Sequence, residues 1–227
     1  NFTTATDTFN VAIGHDAGTA VTTGTRNTLI GALSGDNLTT GVKNVAVGTG
    51  ALSGDDVGSR STAVGDSALA SQNFTTATNS FNTAVGNNAG LSLTTGIQNT
   101  IIGALAGDAL TDADFNVAVG INALTSDTLG SSSTALGDNA LAAQNFTTAT
   151  HTYNVAVGIS AGKAVTTGIE NTIIGALAGD AITTGNNNTA MGHNSLSTNI
   201  LSDHNVAIGN DALATHNTAT SIDSYNV

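Results

Sequence analysis

The chain has no cysteine, no proline and no tryptophan, and only Arg26, Lys43, Arg60 and Lys163 are cationic among its 227 residues. The lack of cysteine excludes disulfides and thiolate metal sites and leaves the compartment open. The scarcity of cations excludes nucleic acid and anionic membranes as partners. A phosphate backbone is held largely by Lys and Arg, whereas 16 acidic residues bring the net charge here to −12. Aromatics make up 4% of the chain, too few for a large central core. Apolar runs stop at three or four residues, too short for a membrane-inserted helix. Charged residues reach only 9%, against ~25% in a typical globular protein, so the polar surface must be Thr, Asn, Ser and Gly. Low charge is compatible with disorder, but the abundance of β-branched and apolar residues argues for order.

What the chain does have is repetition. Asn10-Val-Ala-Ile-Gly14 returns as Asn27-Thr-Leu-Ile-Gly31 and Asn44-Val-Ala-Val-Gly48, then from Asn82, Asn99, Asn116, Asn154, Asn171, Asn188 and Asn205, with Ser61 and Ser133 in the Asn place. Starts lie 17 residues apart three times and then 21 once, which makes a 72-residue super-repeat at 10–81, 82–153 and 154–225. The whole chain, 1–227, reads as one repetitive segment of twelve units, and its ends in mid-repeat predict a piece of a longer protein. A short period sustained throughout means that units stack on their neighbours instead of folding around one centre.

Aligned, the units become columns. The second position is Val or Thr, the third Ala except Leu29, Ile101 and Ile173, and the fourth Ile, Val, Leu or Met. Gly closes the motif at Gly14, Gly31, Gly48, Gly65, Gly86, Gly103, Gly120, Gly137, Gly158, Gly175, Gly192 and Gly209. The apolar triplet predicts a short strand, and the unvarying Gly predicts a turn of positive φ or a close chain approach. A small residue follows three positions later, from Ala17 to Ala212, and then Gly, Gly, Leu, Leu within each super-repeat, as at Gly18, Gly35, Leu52 and Leu69. Many units end in a Thr-Thr-Gly turn such as Thr22-Thr23-Gly24. The expectation is an all-β parallel β-solenoid with two short strands per coil, bonded coil to coil at about 4.8 Å, and about 55–60 Å long. The Asn column is expected to form a ladder of side-chain amides. A strand wall facing water should alternate apolar and polar residues; here three apolar or Thr positions run together, which predicts a neighbouring chain on the outer face and hence a homo-oligomer. The pattern does not say which column faces which way.

The motif Asn-(Val/Thr)-Ala-(Val/Ile)-Gly-x-x-Ala, as in Asn82-Thr-Ala-Val-Gly86 and Asn154-Val-Ala-Val-Gly158, resembles the head repeats of trimeric autotransporter adhesins. It is also similar to the repeats of phage tail-fibre proteins, and the likeness covers essentially the whole chain. The resemblance implies a left-handed β-roll, a homotrimer and an extracellular place on a cell surface or virion appendage, with a host or cell-surface glycan or protein as partner. Coils of 17 and 21 residues are longer than those of the adhesins, and the Thr-Thr-Gly turn matches the fibre repeats better.

Candidate chemistry is sparse. The 21-residue coils carry the pairs Phe74 and Phe81, and Phe146 and Tyr153, with Phe2 and Phe9 opening the chain. These pairs flank a loop that either packs on its own coil or a neighbour, or stacks on a ligand such as a sugar. Asp36, Asp108 and Asp180 recur in one column, and Asp55, Asp56, Asp112 and Asp114 lie near turns. They read as turn formers in preference to calcium ligands. His15, His151, His193, His204 and His216 show no metal-ligand spacing, and Asn1, Asn73 and Asn145 form sequons of the kind so Asn/Thr-rich a chain contains by chance. No catalytic, cofactor or metal motif is present. The reading is therefore a structural and adhesive fibre segment. The alternative is an ice-binding solenoid presenting Thr arrays, and a polysaccharide-degrading solenoid lacks the localised acidic cleft it would need.

Overall fold

The computed structural model describes residues 7–217, 223, 225 and 226. Among these there is no helix, and regular structure is confined to strands of two or three residues separated by tight turns. The chain is an all-β parallel β-solenoid of about twelve turns, divided between two compact units, Asn1–Asp114 and Phe115–Val227. In the first unit β1 (Val11–Ile13), β2 (Thr28–Ile30), β3 (Val45–Val47), β4 (Thr62–Val64), β5 (Thr83–Val85) and β6 (Thr100–Ile102) pair in sequence order. Equivalent residues face one another, as in Val45↔Thr62 and, across the longer coil, Thr62↔Thr83. The second unit repeats the scheme with β7 (Val117–Val119), β9 (Thr134–Leu136), β11 (Val155–Val157), β12 (Thr172–Ile174), β13 (Thr189–Met191) and β14 (Val206–Ile208). In addition, β8 (Gly130–Ser131) pairs with β10 (Thr150–His151).

The strand side chains alternate. In every strand triplet after β1 the middle residue is buried and its two neighbours are half-buried or exposed. Thus the Ala/Leu/Ile column points inward, and the Val/Thr and Ile/Val columns point outward.

The second strand expected in each coil is not a general feature. Among the described residues, β8 and β10 and the isolated bridges Ser59↔Asn79 and Asp203↔Asp223 alone extend the pairing. The rest of the coil turns too sharply for strand geometry. In the coil that starts at Asn82, Asn88, Gly90 and Gln98 all take left-handed backbone, with φ of 55, 59 and 58°. Equivalent positions do the same in the other coils, with or without Gly. Hydrogen bonding between coils nevertheless continues through the turns, for example Leu52 N–H to Ala68 C=O at 3.0 Å and Leu69 N–H to Ala89 C=O at 3.0 Å.

The interior is one residue deep, and two columns exchange volume within it. Where the strand supplies Leu29 or Ile101, the left-handed turn opposite supplies Gly; a Cβ on Gly18 or Gly35 would press on Leu29, and one on Gly90 would press on Ile101. Where the strand supplies Ala46 or Ala63, the same turn position holds Leu52 or Leu69, both fully buried. The cross-section therefore stays filled while its residues change.

The motif-closing Gly has a different cause. At Gly48, φ is 137° and a Cβ would collide with the carbonyl of Gly65 one coil on; Gly31, Gly65 and Gly86 are placed alike. Gly50 also has positive φ (63°), but its nearest neighbour to a Cβ is Ser67 Oγ at 3.7 Å. Gly50→Ala is thus expected to cost about 1 kcal/mol, the usual penalty of a left-handed side chain. Gly48→Ala adds a backbone collision and is expected to cost at least about 3 kcal/mol. Chemical denaturation of the two variants checks the difference; equal costs contradict it.

Candidate functional site

The Asn that starts ten of the twelve coils is buried, except for the half-buried Asn10, and closes the coil that it begins. Asn27 Nδ2 donates to Gly41 C=O at 2.9 Å, and its Oδ1 accepts the Asn44 N–H at 2.9 Å. One side chain thus satisfies both backbone groups of the corner that leads into the next strand. Asn10, Asn44, Asn82, Asn116, Asn154, Asn171 and Asn188 repeat this bracket, with carbonyl partners from Gly24 to Ser202. Asn99 makes its carbonyl bond to Ala113 at 2.8 Å, and Asn205 reaches Ser202 Oγ at 3.1 Å. The ladder therefore runs chiefly through the backbone. Direct amide contacts, such as Asn188 Nδ2 to Asn171 Oδ1 at 3.1 Å, accompany only some rungs. Asn44→Ala would strand the Ser61 N–H and the Gly58 carbonyl, and is expected to cost about 2–3 kcal/mol. Urea denaturation checks this; a cost near zero contradicts the bracket.

Where Ser replaces Asn, the interior becomes polar. Asp55 and Gln72 occupy the column filled by Leu38 and Leu93 in neighbouring coils, and all four are fully buried. Gln72 Nε2 donates to Asp55 Oδ2 and to Ser61 Oγ, each at 2.7 Å, and its Oε1 accepts Asn82 Nδ2 at 2.9 Å. Ser61 Oγ in turn meets Ser80 Oγ at 2.6 Å. The second super-repeat copies the arrangement with Asp127, Gln144, Ser133, Thr152 and Asn154. The third has Asn199, His216 and Asn205 at the matching places, with Asn226 Nδ2 3.2 Å from His216 Nε2. Asp55 is thus part of a buried network, where the sequence reads as a turn former. The signal available in the sequence is that the apolar column breaks to Gln in the coils that start with Ser61 and Ser133, and to Asp in the coil just before each of them.

Burial raises the Asp55 carboxyl above its ordinary value; hydrogen bonds from Gln72, Gly58 and Phe74 oppose the rise and Asp56 adds to it. The folded state then holds this proton more tightly than the unfolded state. Its contribution to stability is complete at acid pH and is lost as pH climbs from about 4 through the raised value. Denaturation midpoints of the wild type and Asp55→Asn, measured from pH 4 to 7, should therefore draw apart in favour of the variant as pH rises. A constant difference contradicts the assignment.

The aromatic pairs are split by the fold. Phe74 and Phe146 are buried, whereas Phe81 and Tyr153 are 50% and 57% exposed. The N–H of Phe146 donates to Asp127 Oδ1 at 3.0 Å, which ties the 21-residue loop to the polar interior. Phe81 lies under the Arg60 guanidinium, 5.6 Å from ring centroid to Cζ, and Tyr153 stacks on His151. Phe9 is exposed and Phe2 lies outside the described residues. Asp56, Asp112 and Asp114 accept hydrogen bonds from Thr39, Thr95 and Ile97 of the preceding coil. Asp180 is raised by desolvation. Among the described residues no group of three or more His, Asp or Glu is placed to hold a metal.

Two outward columns remain. The fourth-position column is wholly apolar: Ile13, Ile30, Val47, Val64, Val85 and Ile102 in the first unit, and Val119, Leu136, Val157, Ile174, Met191 and Ile208 in the second. Ile13, Ile102, Leu136, Met191 and Ile208 are each more than a third exposed. The other column is the residue just before each coil start. Its backbone is left-handed from Phe9 to Tyr225, and Phe81 and Tyr153 belong to it. Its other members range from Arg26, Lys43 and Arg60 to Phe115 and Glu170, so no single residue type marks the whole column in the sequence. Comparison with protein-family models, curated proteins and solved structures finds no match.

Proposed function

We propose that the chain is a segment of an extracellular fibre, the shaft or head of a surface adhesin or viral tail fibre, built as a left-handed β-roll and assembled as a homotrimer. Its work is reach and surface attachment, without catalysis. The observation that carries this reading is the outward apolar column, Ile, Val, Leu or Met in all twelve coils beside an outward Val/Thr column. Contiguous exposed apolar surface on this pattern marks an interface. A second copy of the same chain offers the same spacing of about 4.8 Å and the same ladder, so rows can interdigitate coil by coil. The Thr-Thr-Gly turns and the likeness to adhesin and fibre repeats support this reading.

Ice binding is the weaker alternative. The first hydroxyl of several Thr pairs is already used on the next coil: Thr22, Thr94 and Thr166 donate to backbone carbonyls at 3.2 Å, and Thr183 at 3.0 Å. Multi-angle light scattering should return three times the monomer mass. The triple variant Ile30→Lys, Val47→Lys, Val64→Lys should return the monomer mass with an unchanged circular dichroism spectrum. A monomeric wild type contradicts the fibre assembly, and thermal hysteresis of its solutions would favour the alternative.

A further inference from the structure

Three of the four cations stand in one column. Arg26, Lys43 and Arg60 each precede a coil start, in three consecutive coils, and Phe9 and Phe81 hold the same place one coil before and one coil after. All five are exposed, and their backbones are left-handed, with φ of 61, 60, 65, 52 and 51°. That conformation favours Gly or Asn, yet long side chains occupy it and are held away from the coil. Stacking like charges on adjacent rungs is repulsive, and the protein does not neutralise them. Among the described residues the ion pairs are His15 with Asp16 and His204 with Asp223. The columns on either side, Thr25, Val42 and Ser59 and then Thr28, Val45 and Thr62, carry no acid although the chain is strongly acidic. Arg60 is fixed through Nε, which donates to Asn79 Oδ1 at 3.0 Å, and by the Phe81 ring. Its two terminal nitrogens are not used in those contacts.

We propose that this column is the docking line for a linear anionic polysaccharide, whose carboxylate or sulfate groups pair with Arg26, Lys43 and Arg60 while Phe9 and Phe81 stack on sugar faces at its ends. The charge is a single row with a rung spacing of about 4.8 Å, comparable with the length of one pyranose residue. A bidentate guanidinium suits carboxylate and sulfate alike. A membrane would need a plane of charge, whereas this column offers a single row. The proposal gives a ligand class to the attachment role and rests on that reading.

The test is surface plasmon resonance of the 227-residue chain against polygalacturonate, dextran sulfate, neutral dextran and single-stranded DNA at low and at moderate salt. The wild type should bind polygalacturonate or dextran sulfate, weaken with salt and ignore neutral dextran. The triple variant Arg26→Gln, Lys43→Gln, Arg60→Gln should lose at least about tenfold in affinity, a loss expected when charge-assisted pairs are removed. Lys163→Gln, which removes the cation outside the column, should stay within about twofold. Circular dichroism establishes that each variant is folded. Unchanged affinity in the triple variant, preference for DNA, or no binding to either polyanion overturns the proposal. A change of oligomeric mass in the triple variant also overturns it, making the column a contact between copies. A trimeric wild type that binds neither polyanion removes the ligand and leaves the fibre reading standing. Polyanion binding by a monomer does the reverse.

Discussion

A three-residue strand supplies few hydrogen bonds, so strand pairing alone is a weak reason for one coil to lie in register on the next. The buried Asn at the coil start supplies the rest. Through Oδ1 and Nδ2 it holds the N–H that opens the following strand and the carbonyl that ends the preceding turn. Both groups would otherwise be buried without a partner, at a cost comparable with a lost hydrogen bond each. Once that corner is closed, the motif Gly is pressed against the next coil's carbonyl, the strand centre turns inward and the left-handed corners follow. The thin Ala, Leu and Ile interior then needs only to fill a cross-section of constant size.

Near-identical coils raise a problem of their own: a slip by one repeat would leave most contacts intact. The polar interior at Asp55, Gln72 and Ser61, and its copy at Asp127, Gln144 and Ser133, resists such a slip. Moved by one coil, the buried Asp would lie against a Leu column and lose its partners, which is costly in a low-dielectric interior. The 21-residue coil sits in the same place, and its Phe N–H bonds the same Asp. Polar insertion and extra length thus mark one rung in each super-repeat.

The period, the parallel stacking, the buried Asn column and the positive-φ Gly were all legible in the sequence, because each depends on residue identity repeated at fixed spacing. The inward and outward columns were not, since Val45, Ala46 and Val47 are all apolar and only the pleat separates them. The second strand was overestimated because residues such as Leu52 and Gln98 adopt left-handed backbone without being Gly, and no composition rule announces that. The flanking aromatics of the long coil look equivalent in sequence, yet Phe74 is buried and Phe81 exposed. The difference comes from their places: one follows the buried Gln72, the other stands at a left-handed corner. For the same reason the row Arg26, Lys43 and Arg60 becomes visible only when the coils are stacked. Interior columns are fixed by closure, whereas the outer columns are free to carry apolar, aromatic or charged residues, and any attachment must be made through them.

The absence of native cysteine makes engineered disulfides the most direct test of this register. Equivalent residues on adjacent parallel rungs lie about 4.8 Å apart, within the Cα separation a disulfide accepts. Val64 pairs with Val85 across the long coil. Mild oxidation should therefore cross-link V64C/V85C rapidly and completely, and V47C/V64C equally well. V64C/F81C, which keeps the 17-residue spacing of the other coils, should remain reduced. Efficient cross-linking of V64C/F81C, or failure of V64C/V85C, would contradict the stacking of coils on which the account depends.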